Sequence, residues 1–477
     1  MTTLVWFRHD LRLADQPALG WALRRGGAVI PVFILEPDGP WSPGGASRVF
    51  LHDDLAALDV GLRTAGSRLV LRQGDPTAVL ADLAAETGAD ALVFNARMEP
   101  AGRRTDAAVM AALGQRLAVH ETNGALLLDP RGVATGSGGP YRVFTPFWRA
   151  IHAALLVAQP ASQPAPTNLP APATWPQGPA LEALKLLPRV RWDTGLRAAW
   201  PASEAAAQAR LEAFLDDGIE RYASTRDFPA RDGISRLSPY LHLGQLSPRQ
   251  VWATVQARAL AEGRLAPAEP ALAWMRQLAW REFAHHLLFH FPRTAEAPLR
   301  PEFERFPWVD DPDGYRRWCR GETGYPIVDA GMRELWASGF MHNRVRMIVA
   351  SFLTKDLGVH WLRGAEWFWD TLVDANLANN TLGWQWTAGC GADAAPYFRI
   401  FNPVSQSAKF DGAAAYLRRW LPELAALPDA DLHAPWLAPP MTLQAAGVRL
   451  GKTYPAPMLD HAVARREALD RLAQSRA

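Results

Sequence analysis

The first 130 residues alternate between short apolar runs and longer amphipathic stretches. Five runs predict buried β-strands, because they are short, rich in Val, Leu, Ile and Phe, and bounded by turn residues. These runs are TLVWF, AVIPVFIL, RLVLRQG, ALVFN and ALLLDP. Helical spacing appears between them in QPALGWALRRG, SRVFLHDDLAALDVGLRTAG, PTAVLADLAAETG and RRTDAAVMAALGQRL. This alternation predicts an α/β domain with a parallel, doubly wound sheet covered by helices.

The pattern changes after this region. Residues 131–201 include seven prolines between residues 160 and 179, among Ala, Ser, Gln and Thr, which is typical of an extended linker. From residue 202 the apolar spacing becomes helical, and Ser247 followed by Pro248 predicts the start of one helix. We therefore predict an α/β domain over residues 1–130, a linker over 131–201 and an all-α domain over 202–477.

Composition restricts the partners and the compartment. The net charge of the 477 residues is only +2, so a nucleic-acid partner must meet a local basic patch. Two cysteines, Cys319 and Cys390, are too few for a disulfide framework or for the four thiolates of an iron–sulfur cluster, and they suit a reducing cytoplasm. No uncharged apolar run reaches the roughly 18 residues of a membrane span.

The most informative segment is DTLVDANLANNTLGWQWTAGCGADAAPYFRIFNP, residues 370–403. Its polar side chains cluster at Asp374, Asn376, Asn379 and Asn380, and Trp384 and Trp386 follow. A segment this apolar should be buried, yet each buried amide or acid costs free energy without a partner. The cluster predicts a planar, hydrogen-bonding ligand beside aromatic rings, although a single Asn or Asp is better explained as part of a satisfied core turn.

Three further clusters lie in the helical half. The loop YASTRDFPARDGISRLS, residues 222–238, has hydroxyl and backbone donors for a phosphate, although an ordinary capped loop is the better explanation of this loop taken alone. Helical spacing places Trp274, Gln277 and Arg281 on one face, with Trp280 nearby. In the segment MHNRVRM the two arginines are one residue apart, which predicts that they point to different helix faces.

These segments resemble the DNA photolyase and cryptochrome family, most of all bacterial cyclobutane pyrimidine dimer photolyases. The resemblance follows the chain in order through LVWFRHDLRLADQPAL, YASTRDFP, SRLSPYLHLGQLSPR, LAWREF, GYPIVDAGMRELWASGFMHNRVRM, WQWTAGCGADAAPYFRIFNP and KTYPAPMLDHAVARREAL. It implies a light-driven flavoenzyme with an α/β antenna domain, a long linker and an all-helical domain that binds FAD. It also leaves room for a second, antenna chromophore, and FNARMEPAGRRTD does not distinguish a folate from a deazaflavin or a flavin.

The resemblance assigns the FAD contacts by motif position. The phosphates and ribitol would contact Tyr222, Ser235, Leu237 and Ser238. The adenine and the isoalloxazine would contact Trp274, Gln277, Arg281, Asn343, Arg346, Asp374, Asn376 and Asn380. Arg346 and Asp374 are expected to form an ion pair beside the flavin, where the guanidinium would favour the reduced anionic form by Coulomb attraction.

The resemblance also assigns an electron relay, a lesion pocket and DNA contacts. The relay from the flavin towards the surface would be Trp384, Trp361 and Trp308, although core packing explains each one alone. A flipped dimer would lie against Gln277, Trp280, Asn343, Met347 and Trp386. The phosphates of damaged single- or double-stranded DNA would contact Arg226, Arg344 and Arg399. No metal and no membrane partner is expected, and the protein is expected to be a cytoplasmic monomer.

Two positions depart from the family pattern. Gln277 stands where a Glu usually contacts the dimer, and Asn376 stands where an Asp usually lies near the flavin. Glutamine keeps the capacity for hydrogen bonds but has no charge, so the efficiency of repair is in question more than the fold.

The residues bear on four functions, of which two remain open. Asn343 and Met347 favour a cyclobutane dimer photolyase, because animal (6-4) photolyases usually have His at both positions. Asn380 also favours it, since plant cryptochromes tend to have Asp there and animal ones Cys. The alternative is a cryptochrome-like blue-light photoreceptor with weak or no repair, which Gln277 would favour. Two cysteines argue against an iron–sulfur (6-4) photolyase. A nucleotide-binding protein built on the α/β half leaves the C-terminal motifs unexplained, and its GxGxxG and P-loop fingerprints are missing.

Overall fold

The computed structural model describes residues 1–264, 266–394 and 398–476, and the chain divides into two compact units. Unit 1 comprises Met1–Glu220 and Ser235–Pro292, and unit 2 comprises Arg221–Ile234 and Arg293–Ala477. The domain boundaries near residues 130 and 201 stay a prediction. Residues 395–397 of the predicted ligand-binding segment lie outside the described residues.

Unit 1 contains a five-stranded parallel sheet with the strand order β3-β2-β1-β4-β5. The strands are β1 (Thr2–Phe7), β2 (Ala28–Leu35), β3 (Val70–Gln73), β4 (Ala91–Asn95) and β5 (Ala118–Thr122). The central strands β1, β2 and β4 are buried at nearly every position, which is why they read as continuous apolar runs. The predicted α/β class is confirmed.

The fifth strand is not the predicted one. ALLLDP, residues 125–130, forms no strand, and AVHET forms β5 instead. Leu126 and Leu127 are buried, but their N–H groups donate to Asn123 Oδ1 at 3.2 Å and to Glu282 Oε2 at 2.9 Å. Because side chains satisfy this backbone, the segment stays buried without a partner strand. The edge strand β5 is half exposed, so its apolar pattern is weak.

Helices α1 to α11 lie in the chain up to residue 292. They are α1 (Pro17–Arg25), α2 (Gly45–Thr64), α3 (Pro76–Thr87), α4 (Pro100–Leu113), α5 (Phe144–Ala158), α6 (Thr194–Ala199), α7 (Glu204–Ala213), α8 (Ile219–Thr225), α9 (Ser238–Leu243), α10 (Pro248–Ala261) and α11 (Glu269–His290). Helix α10 begins at the predicted cap, where Ser247 and Gln250 form a capping box.

Helix α5 lies inside the region predicted as an extended linker. Its residues Phe144, Phe147, Ile151 and Leu155 are buried, at the three- and four-residue spacing of a helix. The prolines that follow, from residue 160 to residue 179, lie outside any helix or strand. The extended conformation expected for this region thus applies to the proline-rich part and not to α5, while its role as a linker stays a prediction.

Unit 2 is helical, and the described residues contain no strand after Thr122. Its further helices are α12 (Pro312–Arg320), α13 (Pro326–Ser338), α14 (Asn343–Ser351), α15 (Trp361–Thr371), α16 (Leu377–Ala388), α17 (Pro403–Phe410), α18 (Ala415–Trp420), α19 (Asp429–Leu432), α20 (Pro440–Ala445) and α21 (His461–Arg476). The predicted all-α class of the C-terminal half is confirmed. In the described part of the chain, no helix has the length and apolar character needed to cross a bilayer.

Candidate functional site

An ion pair joins α14 to the loop before α16. Arg346 Nη2 donates to Asp374 Oδ2 at 2.8 Å and to Oδ1 at 3.0 Å, while Arg346 Nε donates to the Met341 carbonyl at 2.7 Å. The side chain of Asp374 is 4% exposed and that of Arg346 is 23% exposed. Charges this buried require good hydrogen-bond geometry to offset their desolvation, so both side chains are held in place.

The neighbouring arginine points to a different face, as predicted. Arg344 Nη2 donates to Asp227 Oδ1 at 2.8 Å, and the guanidinium lies 4.4 Å from the centre of the Phe410 ring. Its side chain is only 17% exposed. Arg344 is therefore not a freely solvated surface arginine, and an anion that binds it must share it with Asp227.

The amides at the start of α16 have different partners. Asn376 is the N-cap of α16, and its Oδ1 accepts a hydrogen bond from the Asn379 N–H at 3.1 Å. Asn380 Nδ2 donates to the carbonyl of Ala365 in α15 at 2.9 Å. Asn and Asp cap helices about equally well, so Asn376 keeps the helix start that an Asp would provide.

Trp384 is in α16, packs against α15 and is 2% exposed. Its ring meets Phe368 edge-on with the centroids 4.9 Å apart, and Trp318 at 6.2 Å. The indole Nε1 is buried and has no hydrogen-bond partner among the described residues. Buried N–H groups are normally satisfied, so this atom indicates a ligand or a water at the site.

A line of aromatic rings leads outward from α15. Trp361 is 1% exposed at the first position of α15, and Trp308 is half buried. The His360 ring contacts both, with its centroid 5.6 Å from that of Trp361 and 4.9 Å from that of Trp308. The imidazole thus connects two predicted relay residues, which the sequence analysis did not anticipate.

Two pairs of candidate lesion and DNA residues are in contact within unit 2. The guanidinium of Arg399 lies 4.9 Å from the centre of the Trp386 ring. Asn343 Nδ2 lies 3.9 Å from Met347 Sδ, as expected for residues four apart on α14. Asn343 is exposed and Met347 half buried, so this face of α14 is open to a ligand.

In unit 1, α11 carries another set of candidate residues. Trp280 stacks on Phe144, with the ring centroids 3.7 Å apart and the planes 7° from parallel. Trp274 is buried against Phe214 at 5.0 Å. Gln277 is half buried and makes no hydrogen bond with a described residue. The stack fixes the plane of the Trp280 indole, while the Gln277 amide remains available.

Two family profiles match the chain. The profile described as the FAD binding domain of DNA photolyase matches residues 274–474, and that of DNA photolyase matches residues 3–171. The deoxyribodipyrimidine photo-lyase of Agrobacterium fabrum is 48% identical over 471 residues, covering 98% of this chain and 96% of the relative. The chain belongs to the DNA photolyase family.

Other members of the family agree with this assignment. The crystal structure of a bacterial class III photolyase from Agrobacterium tumefaciens has a TM-score of 0.95 and 47% identity, covering 100% of this chain and 98% of that one. Cryptochrome-1 of Arabidopsis thaliana is 37% identical over 99% of this chain and 70% of its own length. The photolyases among these three are more similar in sequence to the chain than the cryptochrome is.

As a member of this family the chain contains its FAD-binding domain, and the donor set of unit 2 fits FAD. An isoalloxazine presents carbonyl oxygens and ring nitrogens along one edge. The guanidinium of Arg346, the amide of Asn380 and the unsatisfied N–H of Trp384 can hydrogen-bond such an edge. The individual contacts to FAD stay predictions.

The predicted phosphate-binding loop, residues 222–238, is divided between the units after Ile234. In the unit 2 part, the backbone segments pack closely against one another. Tyr222 is buried, which raises the pKa of its hydroxyl, and the Arg226 guanidinium lies 5.6 Å from the centre of its ring. A Cβ atom at Gly233 would lie 2.6 Å from Thr225 Oγ1 and 2.9 Å from the Thr225 carbonyl carbon. Only glycine permits this approach.

The remaining loop residues belong to unit 1. Leu237 is 2% exposed, Ser238 begins α9, and Arg210 Nε donates to the Ser235 carbonyl at 2.9 Å. Arg236, between these candidates, has a φ of 53°. A non-glycine residue seldom adopts this left-handed conformation, which is often retained at functional sites.

Arg281 is tied into the interior of unit 1. Its Nη1 donates to the Ala125 carbonyl at 2.8 Å and lies 3.4 Å from Glu282 Oε1. Burial raises the pKa of Glu282 to about 7, despite the opposing effects of Arg281 and of the Leu127 and Leu128 N–H groups. If Arg281 contacts the flavin as predicted, it does so with a guanidinium that already bonds to the Ala125 carbonyl and lies beside Glu282.

The carboxyl edge of the sheet, where doubly wound folds often bind ligands, is lined by this chain's own ion pairs. Arg8 donates to Asp106 and to the carbonyl of Asn95. Arg97 Nη1 donates to Glu36 Oε1 at 2.6 Å. The edge gives no indication of which antenna chromophore the protein uses.

Proposed function

We propose that this photolyase repairs cyclobutane pyrimidine dimers in DNA under blue light, with an electron supplied by reduced FAD. The observation that carries the proposal is the arrangement of α14. Asn343, Arg346 and Met347 share one face at three- and four-residue spacing, and Arg346 pairs with Asp374. Arg346, a predicted flavin contact, thus lies on the same helix face as Asn343 and Met347, the predicted dimer contacts. Electron transfer from the flavin to the dimer requires the two to bind this close together.

The identity of the α14 residues favours cyclobutane dimers over (6-4) products. Splitting a cyclobutane needs an electron that is delivered to the dimer and returned, while two carbon–carbon bonds break. Asn343 and Met347 provide an amide and a thioether, neither of which is a proton donor comparable to an imidazolium. The (6-4) reaction would lack such donors at these positions.

The protein side of the reaction is binding and orientation. A pyrimidine dimer is easier to flip out of the duplex than undamaged bases are, because its base pairing is already weakened. From the family resemblance we propose that Trp280 and Trp386 pack on the dimer. Within its own unit, Trp280 is held by Phe144 and Trp386 lies beside Arg399. Gln277 would donate a neutral hydrogen bond to it, which is weaker than a charge-assisted one.

DNA binding would depend on a local patch. The proposed phosphate contacts are Arg226, Arg344 and Arg399, of which Arg399 is exposed and Arg344 is shared with Asp227. Phosphate contacts position DNA without reading its sequence, so lesion specificity would come from the pocket. We further propose, from the family resemblance, that the protein acts as a cytoplasmic monomer on single- or double-stranded DNA. Its antenna chromophore remains open between folate, deazaflavin and flavin.

A cryptochrome-like photoreceptor is the second candidate, and the uncharged Gln277 favours it. The two functions separate in one experiment. Purified protein is illuminated with blue light or kept dark, with DNA that contains either thymine dimers or (6-4) products. We expect FAD in the absorption spectrum, light-dependent repair of the dimers and no repair of the (6-4) products. FAD-containing, photoreducible protein that repairs neither lesion, also after Gln277→Glu, would place the chain with the photoreceptors.

A further inference from the structure

Helix α15 presents a stripe of three residues to α16. Trp361, Gly364 and Phe368 are spaced three and four residues apart, so they lie on one face of α15. All three are buried. Trp384 of α16 packs against this face, in edge contact with Phe368. The two inner residues of the proposed relay are therefore placed by a single helix–helix contact.

Gly364 is the point of closest approach in this contact. A Cβ atom at Gly364 would lie 2.1 Å from Trp384 Cη2, 2.4 Å from Trp384 Cζ3 and 2.7 Å from Leu353 Cδ2. All three distances are shorter than side chains tolerate, and Leu353 is fully buried. With any other residue at 364, the Trp384 indole and Leu353 or the α15 backbone must shift, and either change alters the position of Trp384 relative to α15.

Helix propensity gives no reason for a glycine here. Glycine is the least favourable residue other than proline inside a helix, so propensity alone would favour alanine at 364. The glycine is explained by the indole that lies against it.

We propose that Gly364 is a positioning residue for photoreduction: it sets the separation of Trp384 from Trp361 and so the rate of electron transfer between them. This role rests on the proposed relay through Trp384. Gly364 makes no contribution to dimer splitting itself, because that step does not use the relay. The structure thus predicts a variant in which photoreduction and repair are separated.

The test compares Gly364→Ala with Gly383→Ala. Gly383 is in the helix that carries Trp384, next to it in sequence, and a Cβ atom there would have no atom within 4 Å. Flavin reduction under blue light is followed by absorbance in the FAD-containing proteins. We expect several-fold slower photoreduction for Gly364→Ala and the native rate for Gly383→Ala. After chemical reduction of the flavin, both variants should repair dimers at the native rate.

Trp384→Phe separates failure of this proposal from failure of the relay. If Trp384→Phe photoreduces at the native rate, the relay assignment is wrong and the role of Gly364 falls with it. If Trp384→Phe is slow but Gly364→Ala is native-like with FAD bound, only the positioning role is overturned.

A stability cycle keeps the contact testable if Gly364→Ala folds poorly or loses FAD. Phenylalanine at 384 is shorter than tryptophan and lacks the ring carbons that overlap the added methyl group. The loss of thermal stability caused by Gly364→Ala should therefore largely disappear in the Trp384→Phe background. An equal loss in both backgrounds would show that Gly364 does not act through Trp384.

Discussion

Replacing Asp374 by Asn removes one charge from the ion pair with Arg346 and preserves the shape of the side chain. The guanidinium loses a carboxylate that accepts two contacts, at 2.8 and 3.0 Å, and keeps its bond to the Met341 carbonyl. An uncompensated positive charge then remains beside a side-chain position that is 4% exposed. The substitution should destabilise unit 2.

The size of the effect follows from burial. Removing one partner of a fully buried pair costs about 3–5 kcal/mol, whereas an exposed pair contributes about 0–1 kcal/mol. The side chain of Arg346 is 23% exposed, and the new amide still offers one acceptor, so we expect a loss of about 2 kcal/mol. In a unit of this size that loss lowers the melting temperature by about 4–8 °C.

Thermal unfolding of the FAD-containing protein measures this loss, with flavin fluorescence and circular dichroism as separate probes. Asp313→Asn is the matched control, because its contact with Arg316 has side chains 77% and 59% exposed. The free energy of unfolding of that variant should stay within about 0.5 kcal/mol of the native value. Equal melting of Asp374→Asn and Asp313→Asn would refute the argument that the ion pair is held in a buried geometry.

Four other outcomes can be measured. Gln277→Glu should raise or preserve the yield of dimer repair under blue light; a clear fall would contradict a direct contact with the dimer. Arg344→Ala should weaken DNA binding and reduce the salt slope by about one unit, and Asp227→Asn should strengthen binding; unchanged binding in both would place the patch elsewhere. Phe144→Ala should cost about 3–5 kcal/mol of thermal stability and lower the repair yield by releasing Trp280; a native-like yield would show that the stack is not needed. Because the pKa of Glu282 is raised from 4.5 to about 7, its contribution to stability should be complete below pH 4.5 and lost as pH rises through 7, and Glu282→Gln should remove that slope in pH-dependent melting curves.

Local pattern was sufficient for most of the fold. The central strands are apolar at successive positions, and Ser247 with Pro248 marks a helix start that the structure contains. The two failures have different origins. ALLLDP is buried because a distant side chain, Glu282, accepts hydrogen bonds from its backbone, and no window of sequence contains that information. Helix α5 was missed because its amphipathic spacing precedes a proline cluster that dominates the composition.

In the candidate site too, local spacing predicted some features, whereas others depend on contacts between distant parts of the chain. The sequence indicated that Arg344 and Arg346 point to different faces, since their spacing fixes it. It did not indicate that Arg344 pairs with Asp227, that Phe144 supports Trp280 or that His360 bridges two tryptophans. Each of these contacts joins residues that are far apart in the sequence, so local spacing does not reveal it. The sequence does show a glycine at helical spacing between Trp361 and Phe368. The reason for it is visible only when the structure shows where Trp384 packs.

The interleaving of the two units has a consequence for synthesis on the ribosome. Unit 1 is not complete when residue 220 has been made, because it also contains Ser235–Pro292. Arg221–Ile234 is made before this last part of unit 1, yet it belongs with residues that follow Pro292. Early folding must therefore proceed with one segment of unit 2 waiting for its partners. A gene fragment that ends at the proline-rich linker would encode an unfinished unit 1, and no single cut of the chain separates the two units.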